Sequence, residues 1–162
     1  MENDDVSVEK RCGDIDGEED GTERTTRKRP RESDDELTAA TRSAMSAMRN
    51  ACCKHSKYSV GACLVATNGR MHTGINVESD SYGLTCCAER VALFKALSEG
   101  DRDYRLLMCA MQDSSMSCGT CRQLLAEYCP SVMRVVFVDG QGRIARDTTV
   151  GAMLPDAFVL RT

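Results

Sequence analysis

The sequence contains no tryptophan, and four tyrosines with three phenylalanines make up only 4% of its residues. Proteins that bind single-stranded nucleic acid usually stack bases on aromatic side chains set among basic ones, so polynucleotide binding is not favoured. No apolar run approaches the roughly 20 residues of a membrane-spanning helix, and no membrane partner is expected. An N-terminal apolar segment with a small-residue cleavage site is also lacking, which predicts a cytosolic or nuclear protein.

Cysteine, by contrast, is abundant, with ten residues in a chain of 162. A chain of this length predicts one compact domain rather than two. Without a secretory signal, cysteines more often bind metal ions or pack in the core than form a disulfide framework. The cysteines are therefore candidate metal ligands.

Charge divides the chain into two parts. Residues 1–36 contain 14 acidic and 7 basic residues, a net charge of −7, whereas residues 37–162 carry a net charge of +3. The first part has only three aliphatic residues besides its initial methionine, too few to offset the entropy lost on ordering it. We predict a disordered acidic tail over residues 1–34 and a folded domain over residues 35–162.

A compact basic cluster, Arg-Lys-Arg-Pro-Arg, lies in this tail at residues 27–31. Such a cluster is typical of a nuclear import signal, but it also occurs as a charge-balancing patch in an acidic segment. Both interpretations stay open, and the expected location is the nucleus, the cytoplasm or both.

The hydrophobic pattern of the remaining chain alternates between helical and strand periods. A capping box at Ser33-Asp34-Asp35-Glu36 precedes an apolar stripe, and Asn68-Gly69 is typical of a two-residue hairpin turn. This order of elements predicts an α/β protein, a three-layer α/β/α sandwich around a mixed, roughly five-stranded sheet. The predicted helices cover about 34–50, 88–98 and 118–128, and the predicted strands cover about 60–66, 70–78, 106–111, 135–138 and 144–150.

Two cysteine motifs are separated by about thirty residues, Cys87-Ala88-Glu89 and Cys118-Gly119-Thr120-Cys121. Each lies where a helix is predicted to start, and backbone N–H groups there favour the thiolate form that binds zinc. Three thiolates hold Zn²⁺ and leave its fourth position open, which is the catalytic arrangement. Cys-x-Glu followed by Cys-x-x-Cys predicts hydrolytic deamination of a nucleobase-type ring, with Glu89 off the metal.

The composition of the site leaves two questions open. Cys87 precedes Glu89 by two residues and is the expected ligand, although the adjacent Cys86 could exchange roles with it. A purely structural zinc site would need a fourth ligand, and the sequence offers four candidates: Cys86, Cys129, His55 and His72. We expect His72 to be a structural residue. Arg90 is expected to withdraw charge from the sulfurs and Gln123 to orient Arg90.

At these residues the sequence resembles the cytidine deaminase family, in its small, homotetrameric, three-cysteine class. The resemblance covers residues 37–160 and rests on six segments in family order. These are Asn76-Val77-Glu78, Ser81-Tyr82-Gly83-Leu84, Cys87-Ala88-Glu89-Arg90, Ser98-Glu99-Gly100, Cys118-Gly119-Thr120-Cys121-Arg122-Gln123 and Leu154-Pro155. It implies one zinc per subunit and active sites shared between the subunits of a tetramer.

The resemblance also implies a set of substrate contacts. Asn76 and Glu78 match the pair that binds the ribose 3′-hydroxyl, and Tyr58 stands where a phenylalanine usually faces the pyrimidine ring. The implied contacts are Tyr58, Asn76, Glu78, Asp80, Tyr82, Ala88 and Phe158. Of these, Asp80 and Tyr82 match contacts to the 5′ end of the sugar across an interface, and Phe158 matches an aromatic that reaches a neighbouring subunit. Ordinary core packing stays open for Tyr58 and Phe158.

The chain departs from the family pattern at three places. Ser117 replaces the proline that usually precedes Cys118, which removes some rigidity from that loop. Lys54-His55 stands where proline and tyrosine are typical. Ser79-Asp80 replaces small or amide residues, and an extra carboxylate near the sugar is expected to disfavour nucleotides.

The expected activity is hydrolysis of cytidine and 2′-deoxycytidine to uridine and 2′-deoxyuridine plus ammonia, as in pyrimidine salvage, with Glu89 carrying the protons. Two alternatives stay open. A polynucleotide-editing deaminase would need a basic, aromatic-lined groove, and a free-sugar pair such as Asn76 and Glu78 argues against it. A zinc-stapled interaction module would have a fourth protein ligand and no activity.

Overall fold

The computed structural model of the protein describes residues 33–113 and 115–160. Nearly all of the predicted disordered tail (residues 1–34), including the basic cluster at 27–31, lies outside the described residues. The elements are α1 (Asp34–Met48), β1 (Val60–Ala66), β2 (Met71–Ile75), a 3₁₀ turn (Tyr82–Leu84), α2 (Ala88–Ser98), β3 (Tyr104–Met111), α3 (Gly119–Tyr128), β4 (Arg134–Val138), β5 (Ile144–Thr149) and α4 (Val150–Met153).

The five strands form one mixed sheet in the order β2-β1-β3-β4-β5. The hairpin joins β1 and β2 antiparallel, β1 also pairs antiparallel with β3, and β4 pairs antiparallel with β5. Only β3 and β4 are parallel, because α3 carries the chain back across the sheet between them. The predicted mixed five-stranded α/β fold is confirmed.

Alternate residues of the buried strands point to opposite faces of the sheet, and each face is covered by helices. In β1, Cys63 and Val65 pack in a cluster with Ala40 and Ala44 of α1. On the other face, Ala62 and Leu64 join a larger cluster that includes α2, α3 and α4. The sheet is therefore the middle of three layers, with α1 on one side and the other helices opposite.

Two glycines set how closely the helices approach the sheet. A Cβ on Gly61 would lie 2.1 Å from the carbonyl oxygen of Ala44 in α1, and a Cβ on Gly74 would lie 2.2 Å from that of Ala88 in α2. No side chain fits at such distances, so glycine is required at both positions. The first turn of α2, which carries Glu89, is thereby pressed against β2.

The predicted element bounds hold to within a few residues, and two differences have identifiable causes. β2 ends at Ile75 rather than Glu78, because the side chain of Asn76 accepts the Val60 N–H (2.9 Å). The short helix α4 was not predicted, since four residues are too few for a periodic pattern; Thr149 caps it by accepting the Ala152 N–H (3.1 Å). Within the described part of the chain, no helix is long and apolar enough to span a membrane.

Candidate metal centre and adjoining cavity

Three cysteine sulfurs converge where α2 and α3 begin. Cys87 Sγ lies 3.8 Å from Cys118 Sγ, and Cys118 Sγ lies 3.6 Å from Cys121 Sγ. Cys87 is the N-cap of α2 and Cys118 is the N-cap of α3, with Cys121 in the first turn of α3. Two helix starts therefore direct their N–H groups and positive dipole ends towards one group of sulfurs.

These separations fit a zinc ion. Tetrahedral coordination with Zn–S bonds of about 2.3 Å places ligand sulfurs about 3.8 Å apart. All three sulfurs lie within 4.8 Å of one another. Among the described residues, this trio is the one His, Cys, Asp or Glu group able to hold a metal, so none of the candidate fourth ligands Cys86, Cys129, His55 and His72 joins it. The arrangement is that of an open site with three protein ligands.

The charges of the site also fit a cation. A hydrogen bond from Cys121 lowers the pKa of Cys87 to about 6, with further help from Cys118 and Arg90. The pKa of Cys121 is raised in turn, because it donates to Cys87 and is buried near Glu89. A divalent ion bound among the sulfurs would stabilise all three as thiolates.

Glu89 lies in the first turn of α2, two residues after Cys87, and its side chain is only 3% exposed. It is not a member of the metal-ligating group among the described residues. Its carboxylate borders the same cavity as Cys87 and Cys118. A buried carboxylate beside, but not on, an open metal site is placed to move protons.

The cavity next to the sulfurs has a volume of about 360 Å³. It lies at the end of the sheet where β1 begins and β2 and β3 finish. The predicted residues that line it are Tyr58, Asn76, Glu78, Cys87, Glu89 and Cys118, and the structure adds Ser56, Val60, Thr85, Cys86, Met111, Ser115 and Met116. Glu89, two of the three predicted metal ligands and the Asn76–Glu78 pair thus border one cavity.

Asn76 and Glu78 are both anchored, in different ways. Asn76 Oδ1 accepts the Val60 N–H, and its Nδ2 donates to the Tyr58 carbonyl (2.8 Å), so this buried amide keeps one donor and one acceptor free. Glu78 accepts hydrogen bonds from the His55 and Ser56 backbone and from the Ser56 hydroxyl. The Ser56 hydroxyl is the main cause that lowers the pKa of Glu78, which is therefore an acceptor at neutral pH.

Tyr58 lies in the cavity wall and its hydroxyl donates to Asp113 beyond β3. Burial and this carboxylate raise the pKa of Tyr58, so the phenol stays neutral. The hydroxyl that distinguishes this residue from phenylalanine thus faces a protein partner. The expected role of Tyr58 against a pyrimidine ring stays a prediction, and its place in the cavity wall is compatible with that role.

Arg90 interacts with a predicted metal ligand, whereas the hydrogen bonds of Gln123 are to residues other than Arg90. The guanidinium of Arg90 donates to the Thr85 carbonyl (2.7 Å) and interacts with Cys87. Gln123 instead donates to the Phe158 carbonyl (2.8 Å) and accepts the Phe158 N–H (3.3 Å). The prediction that Gln123 orients Arg90 is therefore corrected: Thr85 positions Arg90, and Gln123 holds the backbone near the end of the chain.

Four of the predicted contacts do not line the cavity. Asp80 pairs with Lys54 (2.8 Å) and His55 (3.2 Å) on the surface. The residues that depart from the family pattern at 54–55 and at 80 therefore contact one another. Tyr82 is 82% exposed and its ring meets His55 edge-on at 6.2 Å between centroids. Phe158 is 68% exposed and Ala88 is fully buried, so neither side chain reaches the cavity of its own chain.

The most informative residue that sequence reasoning missed is Ser56, because its link to Glu78 joins segments 22 residues apart. Thr85 and Met116 were missed as well. Their sequence surroundings carry no motif, and only their positions in loops that flank a predicted ligand could have indicated them.

An α/β sheet that carries an open three-sulfur site beside a buried glutamate defines a class, the zinc-dependent hydrolytic enzymes. Comparison with known proteins narrows this class. The sequence profile described as "Cytidine and deoxycytidylate deaminase zinc-binding region" matches residues 34–139. The chain belongs to this deaminase family.

Individual relatives agree with the profile. A cytidine deaminase of Halalkalibacterium halodurans is 43% identical over 118 residues, which cover 71% of this chain and 88% of the relative. One from Sporosarcina psychrophila is 43% identical over 106 residues, covering 64% and 77%. The crystal structure of cytidine deaminase from Burkholderia pseudomallei superposes with a TM-score of 0.71 at 38% identity, covering 75% of this chain and 98% of that one.

Proposed function

We propose that this protein hydrolyses cytidine and 2′-deoxycytidine to uridine and 2′-deoxyuridine with release of ammonia, as in pyrimidine salvage. The observation that carries the proposal is that Glu89 and the Asn76–Glu78 pair line one cavity together with Cys87 and Cys118, whose sulfurs form a group with that of Cys121. Its volume of about 360 Å³ falls within the usual range for small ligands. Relatives named cytidine deaminase support the substrate.

Cys87, Cys118 and Cys121 are the residues that would hold the zinc. When bound there, zinc supplies Lewis acidity that lowers the pKa of a water molecule towards neutrality. Arg90 draws charge from the sulfurs through its interaction with Cys87, which preserves that acidity. The positive ends of α2 and α3 act in the same direction.

Glu89 is the proton carrier in this proposal. Its carboxylate takes a proton from the attacking water and delivers it to ring nitrogen 3, as the oxygen adds to carbon 4. The second proton of the same water then passes from the oxygen on carbon 4 through Glu89 to the amine, and the bond between carbon 4 and the amine nitrogen breaks to release ammonia. Burial of Glu89 at 3% exposure keeps bulk water from competing for these protons.

The nucleoside is oriented by groups at both ends of the cavity. The free donor of Asn76 and the carboxylate of Glu78 bind the ribose 3′-hydroxyl, and the Tyr58 ring faces the pyrimidine. Ala88 contributes through its backbone N–H, which belongs to the first turn of α2 and has no partner within the helix. Asp80 lies outside the cavity of its own chain and pairs there with Lys54, so repulsion of a 5′-nucleotide by its carboxylate would have to act on the sugar bound to a neighbouring subunit.

We further propose a homotetramer with shared active sites. Tyr82 and Phe158 support it, because both large side chains are exposed in the single chain and neither meets its own cavity. Burial of such residues against another subunit would be favourable. Sedimentation analysis should give four chains per particle, and a monodisperse monomer that is fully active would overturn this.

The activity is tested by ammonia release from the purified protein, with its zinc content quantified. The substrates are cytidine, 2′-deoxycytidine, cytidine 5′-monophosphate and a cytosine-containing oligonucleotide. We expect turnover of both nucleosides and little of the other two. Turnover of the oligonucleotide alone would favour the polynucleotide-editing alternative, and a zinc-loaded protein silent on all four would favour a structural zinc module.

Two proposals concern the N-terminal part of the chain. The deaminase domain is proposed to cover residues 35–162 and to follow the acidic tail predicted over residues 1–34, although the last of these, Asp34, already belongs to α1. The basic cluster at 27–31 is proposed as a nuclear import signal. Deletion of residues 27–31 should move a fluorescently labelled protein from nucleus to cytoplasm. An unchanged distribution would discard the import signal.

A further inference from the structure

The hydroxyl of Ser56 joins two sides of the cavity that are far apart in sequence. Its Oγ donates to Glu78 Oε1 and accepts the backbone N–H of Tyr58 at 3.0 Å. Glu78 is the proposed sugar-binding carboxylate, and Tyr58 is the proposed ring-facing residue. One hydroxyl therefore bridges the side chain of Glu78 and the backbone of Tyr58.

The other oxygen of Glu78 is held by backbone groups. Oε2 accepts the N–H of His55 at 2.7 Å and the N–H of Ser56 at 3.1 Å. An ionised carboxylate offers about four acceptor positions. Three of them are occupied by this short segment, so the carboxylate has a single orientation and about one acceptor position left. Because Glu78 borders the cavity, a hydroxyl bound there can use that position.

The local backbone explains how this segment reaches Glu78. Lys57 has a φ of 58° and is the one non-glycine residue of the described chain in the left-handed region. The Lys57 N–H also bonds to the Cys53 carbonyl at 3.0 Å and closes a tight turn. Strained backbone of this kind persists where surrounding contacts over-determine it. Here the turn aims two consecutive N–H groups at Glu78 and returns Tyr58 to the cavity wall.

We propose that Ser56 is a positioning residue for the sugar, which acts by setting the orientation of Glu78. The inference rests on the proposed nucleoside activity and deepens it. Ser56 itself need not touch the reacting ring. Its contribution should depend on whether the substrate carries the 3′-hydroxyl that Glu78 binds, which a merely structural serine would not detect.

The test compares cytidine with 3′-deoxycytidine in Ser56→Ala, Ser56→Thr and the control Ser59→Ala. Ser59 is a neighbouring serine whose hydroxyl contacts Cys53 Sγ (3.4 Å) rather than Glu78. For Ser56→Ala we expect kcat/KM for cytidine to fall about tenfold, mainly through KM, the size of one hydrogen bond to a charged group. The value for 3′-deoxycytidine should change less than about twofold, since the bond to Glu78 is already missing.

Ser56→Thr keeps a hydroxyl and should restore most of the kcat/KM for cytidine. Ser59→Ala should have the same kcat/KM as the unsubstituted protein on both substrates. Equal losses of Ser56→Ala on both substrates, or no loss on either, would overturn the positioning role while the deaminase activity stands. An original protein silent on both nucleosides would instead overturn the proposed function.

A second measurement does not depend on turnover. The pKa of the Glu78 carboxyl can be followed by NMR in zinc-loaded protein labelled at glutamate side-chain carbons. It should lie below the usual glutamate value and rise in Ser56→Ala, because alanine cannot donate to the charged form. An unchanged pKa in Ser56→Ala would overturn the contact itself, whatever the activity.

Discussion

At the metal end of the cavity, the functional groups lie at the starts of two helices, with Glu89 and Cys121 buried, whereas at the sugar end the carboxylate of Glu78 is held by a loop. Cys87 and Glu89 belong to α2, and Cys118 and Cys121 to α3. Glu78, in contrast, is oriented by Ser56 and its neighbours in the loop before β1. The metal end depends on packing of helices on a sheet, and the sugar end depends on single hydrogen bonds.

This difference predicts how each end responds to substitution. A metal site with three ligands fails when one is lost, because two sulfurs hold zinc far more weakly than three. A sugar site built from separate hydrogen bonds loses affinity in steps, each about the size of one bond. Loss of activity should thus be all-or-none at one end and graded at the other.

The largest effect is expected from Cys118→Ala. Removal of this ligand should release the zinc and abolish turnover, whereas Cys86→Ala should retain both, since Cys86 is not in the three-sulfur group of the described chain. Zinc content by elemental analysis and ammonia release check the pair. Zinc loss in Cys86→Ala with retention in Cys118→Ala would reverse the assignment of ligands.

A graded effect is expected from Glu78→Gln. The neutral amide accepts a sugar hydroxyl more weakly and can no longer accept all three donors from the Ser56 segment. We expect kcat/KM for cytidine to fall by about 10- to 100-fold, the range of a hydrogen bond to a charged group. Zinc content should be unchanged. Full loss of zinc would mean that a substitution at the sugar end also disrupts the metal end.

Gly74→Ala tests whether packing of α2 supports the metal end. A Cβ at Gly74 would meet Ala88 and Ala92 of α2, whereas one at Gly61 would meet Ala44 and Met48 of α1, which carries no site residue. Both substitutions should lower stability by about 1–3 kcal/mol or more, seen as a lower Tm. Only Gly74→Ala should also weaken zinc retention. Equal zinc retention in the two folded variants would show that the site tolerates displacement of α2.

The smallest effect is expected from Tyr58→Phe. This change removes only the hydroxyl that donates to Asp113 and keeps the ring in the cavity wall. Turnover of cytidine should stay within about threefold of the original, since an exposed hydrogen bond contributes about 1 kcal/mol. Steady-state kinetics check this, and a loss beyond tenfold would assign the hydroxyl a direct part in binding.

The same contrast explains which features the sequence predicted. Cys118 and Cys121 are three residues apart in one helical turn, and Glu89 follows Cys87 by two residues, so local geometry alone brings each half-site together. The bounds of α2, Ala88–Ser98, agree with its apolar pattern and the glycine that follows it. Residue spacing and helical periodicity are therefore sufficient to predict each half of the metal site.

The contacts that escaped prediction join segments far apart in sequence. Gln123 meets Phe158 across 35 residues, and Ser56 meets Glu78 across 22. Polar side chains in loops have no period that indicates a partner. The pairing of Lys54 with Asp80 could not be read from two separate departures from a family pattern, although it explains both. The contacts at the sugar end could therefore be identified only from the structure.

The most direct test of the account is Glu89→Gln with zinc and turnover measured on the same sample. Glutamine is close in size and Glu89 is not a member of the ligand group in the described chain, so one zinc per chain should remain bound. Ammonia release from cytidine should fall by a factor of about 10²–10⁴ or more, because glutamine cannot carry the protons. Near-normal turnover by zinc-loaded Glu89→Gln would contradict the assignment of Glu89 as the proton carrier.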